Sequence, residues 1–346
     1  MMVIIQLPAA GLIPEQVKTV VEILDQYVPV PLQKGIQVLC PRDLAENFTS
    51  REYFLATMKL IPITYINTFH SAISAHKKDS KLNLLSPESI DYYCSLAEII
   101  KKAGGEVLVI HCNCVFDHTE WKYPLTDYKY IQQNGFAKIM NNLRQIAARV
   151  NIKIAIENMP FPLKGDVTSE PEEIPFDPLL LTTTQMIEFL QQLPNNIALA
   201  FDTSHYGISR EKIDYLWKKY GTLTLEEINR EGLKGIYPEM IQEPLSVLDA
   251  FNKIQEQTNR ILHLQLADHY STWFPNKVGF KAQQFEEGYI IGEGILGQEL
   301  FALCSTIAEK YPHIPISLDV HVTDYLQRPE QVQSLKRVVG FLQQLH

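Results

Sequence analysis

Short apolar runs that stop on a carboxylate or an imidazole recur along this chain, and they constrain its fold more than any other feature. The clearest is I-A-L-A-F-D-T-S-H at 197–205, where an apolar stretch gives way to Asp202 and then His205. The run at 152–156 ends in Glu157, 107–110 in His111 and 314–318 in Asp319, and 61–67 runs on to His70. Apolar runs this short read as strands buried in a parallel sheet. Folds made of such strands place their chemistry at the strand C-terminal ends.

Strands are expected at 3–7, 36–40, 61–67, 107–110, 152–156, 197–201, 261–267 and 314–318. Helical patterns separate them. Pro14 opens one, with Val17, Val20, Val21 and Leu24 on one face. Another is expected over 44–60, after which 68–81 reads as a polar loop. Ser86 and Pro87 start the next, which Gly104-Gly105 stops. Further helices are expected at 128–150, 183–193, 296–311 and 329–345, with at least two more inside 206–259. Eight strands alternating with helices force parallel pairing through right-handed crossovers. That count favours a closed (β/α)8 barrel, a TIM barrel, over an open doubly wound sheet, and no Gly-rich phosphate loop follows an early strand. One domain over 1–346 is expected, with long connections after the fifth, sixth and seventh strands at 158–181, 206–259 and 268–294.

A formal net charge of -9 argues against a protein that grips nucleic acid through phosphates. Five cysteines, scattered except for Cys112 and Cys114, suggest a reducing compartment without a disulfide framework. No apolar run approaches the roughly 18 residues of a membrane span. The N-terminus lacks a basic leader, so 1–7 reads as a first strand, and the expected location is the cytoplasm.

In a barrel all strand C-termini open onto one face. His70, His111, Glu157, Asp202, His205 and Asp319 are then expected to converge there. Carboxylates and imidazoles around one cavity suit a divalent ion: Mn²⁺, Zn²⁺, Mg²⁺ or Co²⁺. On the seventh strand His263 and Gln265 share a face, Gln265 nearer the mouth. Gln265 can ligate through its carbonyl oxygen, whereas His263 reads as a core histidine. Cys112 and Cys114 read as buried thiols. Trp121, Trp273, Phe274 and Tyr289 fall in mouth loops, where they cover a substrate or pack the loops. His321 shares a face with Asp319 or faces solvent.

At these residues the chain resembles the xylose isomerase-like barrel superfamily of sugar isomerases, ketose epimerases, inosose dehydratases and endonuclease IV. The resemblance spans about 61–319. It rests on I-A-I-E-N at Glu157, F-D-T-S-H at Asp202 and His205, L-Q-L-A-D at Asp268 and I-I-G-E-G at Gly292 and Gly294. It implies that Glu157 and Asp202 are metal ligands, that His205 binds substrate or metal, and that His70 and His111 match strand-end histidines of the family. With the mouth residues added, the expected metal set is Glu157, Asp202, Gln265 and Asp319, and the expected substrate contacts are His205, His70, His111 and Trp273. The chain departs from the family pattern at Gln265, where the family has histidine, and at Asp319, where it has glutamate. It also carries Glu286 and Gly288 where the nuclease branch has an aspartate and a histidine.

The function this implies is isomerisation or epimerisation of a sugar or sugar phosphate, with a divalent metal. Glu157 and Asp319 would transfer the proton through an enediolate, and His205 would hold an oxygen. The alternatives are an endonuclease IV-like phosphodiesterase, a polyol dehydratase, or a barrel with a degenerate metal site that binds a ligand without catalysis.

Overall fold

The computed structural model describes residues 3–72, 80–111, 135–160, 180, 182–222, 242–275 and 281–345. Eight parallel strands close into a barrel. They are β1 (Ile4–Ala10), β2 (Gln33–Leu39), β3 (Thr68–His70), β4 (Val107–His111), β5 (Lys153–Glu157), β6 (Ile197–Asp202), β7 (Ile261–Leu266) and β10 (Ile316–Leu318). Neighbours pair in chain order and β10 closes onto β1. The other two strands, β8 (Asp268–Pro275) and β9 (Lys281–Tyr289), form an antiparallel hairpin after β7.

The helices among the described residues are α1 (Pro14–Tyr27), α2 (Phe48–Met58), α3 (Glu88–Lys102), α4 (Ala137–Arg149), α5 (Thr183–Gln191), α6 (Thr203–Tyr220), α7 (Val247–Thr258), α8 (Gln298–Lys310) and α9 (Pro329–Gln344). Both α6 and α7 lie between β6 and β7. Local signals set several helix starts. Pro14 occupies the first turn of α1, and Thr182 and Gln185 form a reciprocal capping box at α5. No helix among the described residues is long and apolar enough to cross a membrane.

Alternation along the strands sorts their residues into two populations. Leu108, Ile110, Ile154, Ile156, Leu199, Phe201, Leu264, Leu266, Ile316 and Leu318 join the large core shared with the helices. Val109, Ala155 and Ala200 form a separate cluster inside the barrel. The apolar runs are therefore two-faced, bulky outward and small or polar inward.

Two expectations need correction. Residues 61–67 are not a strand: the Tyr65 N–H bonds to Pro62 O in a turn, and Ile63 is fully exposed. Pro62 lacks the N–H a ladder needs. The chain meets β2 only at the end of this stretch, where the Ile66 N–H bonds to Lys34 O and Asn67 Oδ1 accepts from the Ile36 N–H. The strand is Thr68–His70, so His70 belongs to the barrel wall rather than to a polar loop. The stretch 268–294 is not simply a loop either. Its aromatic and β-branched content fits the β8–β9 hairpin that it forms. Of the other long connections, 161–179, 181 and 223–241 lie outside the described residues, as do Cys112, Cys114 and Trp121.

The hairpin is tied back by one carboxylate. Asp268 Oδ1 accepts from the backbone N–H of His269 (2.9 Å) and Leu296 (2.8 Å), and Oδ2 from Gly294 (2.9 Å) and Gly297 (3.1 Å). A Cβ on Gly294 would lie 2.3 Å from His269 O and 2.5 Å from Asp268 Oδ1, so only glycine fits there. The L-Q-L-A-D and G-E-G motifs are thus two halves of one hydrogen-bonded device. Asp268→Asn leaves one acceptor oxygen for four donors and turns an NH₂ toward two of them. We expect a loss of about 2–4 kcal/mol, read as a lower urea midpoint with unchanged slope. An unchanged midpoint would show that the device contributes nothing to stability.

Candidate metal centre

The site begins with register. His111 pairs with Glu157 across β4 and β5, Asp202 with Gln265 across β6 and β7, and Gln265 with Ser317 across β7 and β10. Residues in register on parallel neighbours point the same way. The last inward residues of β3 to β6 are His70, His111, Glu157 and Asp202, and Asp319 follows β10.

Glu157 is the centre, at 1% exposure. Its Oε2 lies 2.7 Å from His70 Nε2 and 3.1 Å from His111 Nε2, and its Oε1 lies 3.2 Å from His205 Nδ1. The His70 and His111 rings meet edge to face, with Nε2 atoms 3.3 Å apart. His70 Nδ1–H donates to Ser71 O (2.8 Å), and His205 Nδ1–H donates to Asn158 O (2.9 Å). Anchored this way, His70 turns its Nε2 to Glu157 and His205 turns its Nε2 to Glu287.

The D-x-x-H spacing at 202–205 has a local cause. Asp202 caps α6: its Oδ1 accepts from His205 N (2.8 Å) and Ser204 Oγ (2.9 Å). Capping places His205 in the first turn, on the side where Glu157 stands. Asp202 Oδ2 accepts no hydrogen bond among the described residues. Asn158 braces this corner, accepting from Asp202 N (2.7 Å) and donating to Asp202 O (3.0 Å). Thr203 does the same toward β7: its Oγ1 donates to Ala267 O (2.7 Å) and accepts from Ala267 N (3.0 Å).

On the other wall Gln265 Nε2 donates to Asp319 Oδ2 (2.9 Å). The carboxamide is 1% exposed, and its Oε1 is buried without a hydrogen-bond partner among the described residues. His263 lies deeper, with Nε2 3.3 Å from Gln37 Oε1, and takes no direct part in the cluster. His321 donates its backbone N–H to Gly288 O (2.8 Å). Its ring fills the space beside Gly288, where a Cβ would lie 2.6 Å from the imidazole. Trp273 pairs with Gln283 in the hairpin, and its side chain lies outside the described residues.

Glu287 is the acid that sequence reading passes over. It stands on β9, with Oε2 3.2 Å from His205 Nε2. Motif counting points to Glu286 and Gly288, the positions on either side. Only the folded hairpin shows that Glu287 reaches His205.

The charges balance within the cluster. Burial raises the Glu157 carboxyl, but His111, His205 and His70 outweigh it and hold the group well below the usual carboxylate range. Burial lowers His205, and Asp202, Glu157 and Glu287 together hold it well above the usual imidazole range. Burial pushes Asp202 up, as it does Asp319, where the charge of Glu157 adds to it. Burial drives His111 down, toward the neutral ring a metal ligand needs.

Two donor triads result: His70, His111 and Glu157, and Glu157, Asp202 and His205. In each, one ligand atom per residue lies within 4.8 Å of the others. Buried nitrogen and carboxylate oxygen donors are the set that Zn²⁺, Mn²⁺ and similar ions take. A cavity of about 330 Å³ lined by Arg210, Glu211, Asp214, Pro244, Leu245 and Ser246 shares no residue with either triad.

Comparison with curated proteins finds no match. Among solved structures, a D-tagatose 3-epimerase-like protein is similar, with TM-score 0.55, 14% identity, and 99% of each chain covered. Endonuclease IV from Thermus thermophilus is similar with TM-score 0.54 and 10% identity, over 98% of this chain and 99% of that one. A xylose isomerase-like TIM barrel protein from Mycobacterium smegmatis, solved in complex with magnesium, gives TM-score 0.53 and 8% identity, over 96% of this chain and 88% of that one. At these identities the likeness is one of fold. The model of the family described as xylose isomerase-like TIM barrel matches residues 63–344. The barrel, the strand-end cluster and that match agree: the chain belongs to the xylose isomerase-like TIM barrel family.

Proposed function

We propose that this protein is a divalent-metal-dependent isomerase or epimerase of a sugar or sugar phosphate. The observation that carries the reading is the convergence on Glu157 of imidazoles and carboxylates from successive strand ends. The donor set fits an ion. Glu157, Asp202, Gln265 and Asp319 would hold it, since Asp202 keeps Oδ2 and Gln265 keeps Oε1 for that purpose. His70, His111 and His205 would ring the substrate. The bound ion would polarise adjacent carbonyl and hydroxyl oxygens of an open-chain sugar.

The chain's own groups then move the proton. Glu157 and Asp319 stand on walls separated by β6 and β7. Glu157, ionised, takes the proton from the carbon beside the carbonyl. Asp319, which burial shifts toward its protonated form, returns one to the enediolate, at the same carbon from the opposite side for an epimerisation or at the neighbouring carbon for an isomerisation. His205, held cationic, donates to the oxygen on which charge develops. Substrate entry has to displace Glu287 from His205 Nε2. The fold similarity to a D-tagatose 3-epimerase-like protein supports the substrate class.

One observation favours a second reading. The two triads share Glu157 through different oxygens, an arrangement that suits a pair of ions acting on a phosphodiester. The net charge of -9 weighs against a nucleic-acid substrate.

Calorimetric titration with Mn²⁺ and Zn²⁺ tests the metal. Wild type should bind, and Glu157→Gln and Asp202→Asn should each weaken binding by about 10- to 100-fold or more. If wild type binds neither ion at millimolar concentration, or both variants bind as well as wild type, a ligand-binding barrel replaces this reading. One ion per chain supports the isomerase, two the hydrolase.

The chemistry has its own test. Incubating the loaded protein with a panel of ketoses in D₂O should put deuterium on the carbon beside the carbonyl of one of them, and Glu157→Gln should abolish this. We expect no incision of an abasic-site duplex. Specific incision lost in Glu157→Gln would move the assignment to the phosphodiesterase.

A further inference from the structure

Below the cluster the barrel interior is unusual. The interior of such a barrel is ordinarily filled by layers of bulky branched side chains. Here one side holds a small cluster among the described residues, Val109, Ala155 and Ala200, with Val107 packed against it. The other carries Gln6, Gln37, Thr68, His263 and Ser317, each buried at 1% exposure or less. Register places them together. Gln37 pairs with Thr68, Gln6 with Ser317, and Ser317 with Gln265. Thr68 Oγ1 donates to Gln6 Oε1 (2.8 Å), and Gln6 Nε2 donates to Ile66 O (2.7 Å). His263 bonds to Gln37 across the barrel.

Three atoms of this layer have no hydrogen-bond partner among the described residues: Gln37 Nε2, His263 Nδ1 and Ser317 Oγ. Buried groups left unmet are costly, and native interiors rarely carry several together. Their chemistry identifies what meets them. Gln37 Oε1 can only accept, so His263 Nε2 carries the hydrogen and Nδ1 is left as an acceptor. Gln37 Nε2 is a donor, and the Ser317 hydroxyl is both. An anion needs donors alone and a cation acceptors alone. A mixed, uncharged set suits a neutral molecule that donates and accepts at once.

We infer that the barrel interior beneath the carboxylate–imidazole cluster binds water, held by Gln37, His263 and Ser317, as a buried polar floor to the site. Ser317 is level with Gln265 and lies two residues below Asp319 on the same face. His263 is near enough to feel the charges of His70 and Glu157. The water therefore stands under the Gln265–Asp319 pair, on the side away from the mouth. It supplies hydrogen-bonding partners there that a substrate entering from above does not displace. This inference holds whichever reaction the mouth performs.

A crystal structure of the wild-type chain at about 1.5 Å tests it without any variant. We expect a density peak at about 2.7–3.2 Å from at least two of Gln37 Nε2, His263 Nδ1 and Ser317 Oγ. Water ¹⁷O relaxation dispersion should count at least one fewer long-lived internal water in the double variant His263→Leu/Ser317→Val than in wild type. In ¹⁵N-histidine spectra, His263 should remain the neutral Nε2–H tautomer with a hydrogen-bonded Nδ1. A dry interior at that resolution, repacking in which the three atoms bond one another, or a peak identified as a metal ion by anomalous scattering would overturn the inference. If the double variant does not fold, the wild-type structure decides alone.

Discussion

The site depends on burying one carboxylate. Glu157 is nearly sealed at the top of β5, and removing an ionised carboxylate from water costs several kcal/mol even after relaxation. The cost is offset only by donors that arrive from other strands. Two imidazoles reach one of its oxygens and a third reaches the other. None of those histidines is near Glu157 in sequence except through the closure of the barrel. The cluster therefore exists only when β3, β4, β5 and the start of α6 are in register. Fold and site are one cooperative object in this respect.

What orients the donors is mostly backbone. His205 is placed by helix capping from Asp202, and its ring is fixed by the carbonyl of Asn158. His70 is fixed by the carbonyl of Ser71. Asn158 and Thr203 bond adjacent strand ends and hold β5 to β6 and β6 to β7. The hairpin carrying Glu287 is held at its root by Asp268, whose two oxygens collect four backbone donors. The residues around the cluster thus remove freedom from side chains that would otherwise sample many rotamers.

Much of this is legible in the sequence because a parallel strand leaves a strong mark: a short apolar run, then a polar residue at its C-terminal end. That mark locates Glu157, Asp202, His111 and Asp319 correctly at strand ends. It misplaces the third strand, because Ile61, Ile63 and Ile66 look like a strand although Pro62 turns the chain there. His70 is still found, since the error concerns the wall that carries it. Glu287 is missed because side chains alternate, and the pairing register of a hairpin is not written in composition. Asn158 stands in a motif, but its role as a brace needs the adjacent strand to be seen. The polar floor escapes notice because Gln6, Gln37 and Ser317 are single polar residues within otherwise apolar runs. Their kinship lies in register across strands far apart in sequence.

The two departures from the family pattern change meaning when seen together. Taken separately, a glutamine in place of a histidine and an aspartate in place of a glutamate look like two independent losses from a metal site. In the fold they are one contact, Gln265 Nε2 to Asp319 Oδ2 at 2.9 Å. A carboxylate shortened by one methylene stays nearer its own strand, and a long carboxamide on the neighbouring strand extends to meet it. The amide N–H is consumed in that contact, which leaves the carbonyl oxygen, a hard neutral donor, as the group Gln265 can offer to an ion. The pairing joins the two departures in one buried contact, so that a change at either residue is felt by the other, and Gln265 Oε1 is the atom of that pair with no donor among the described residues.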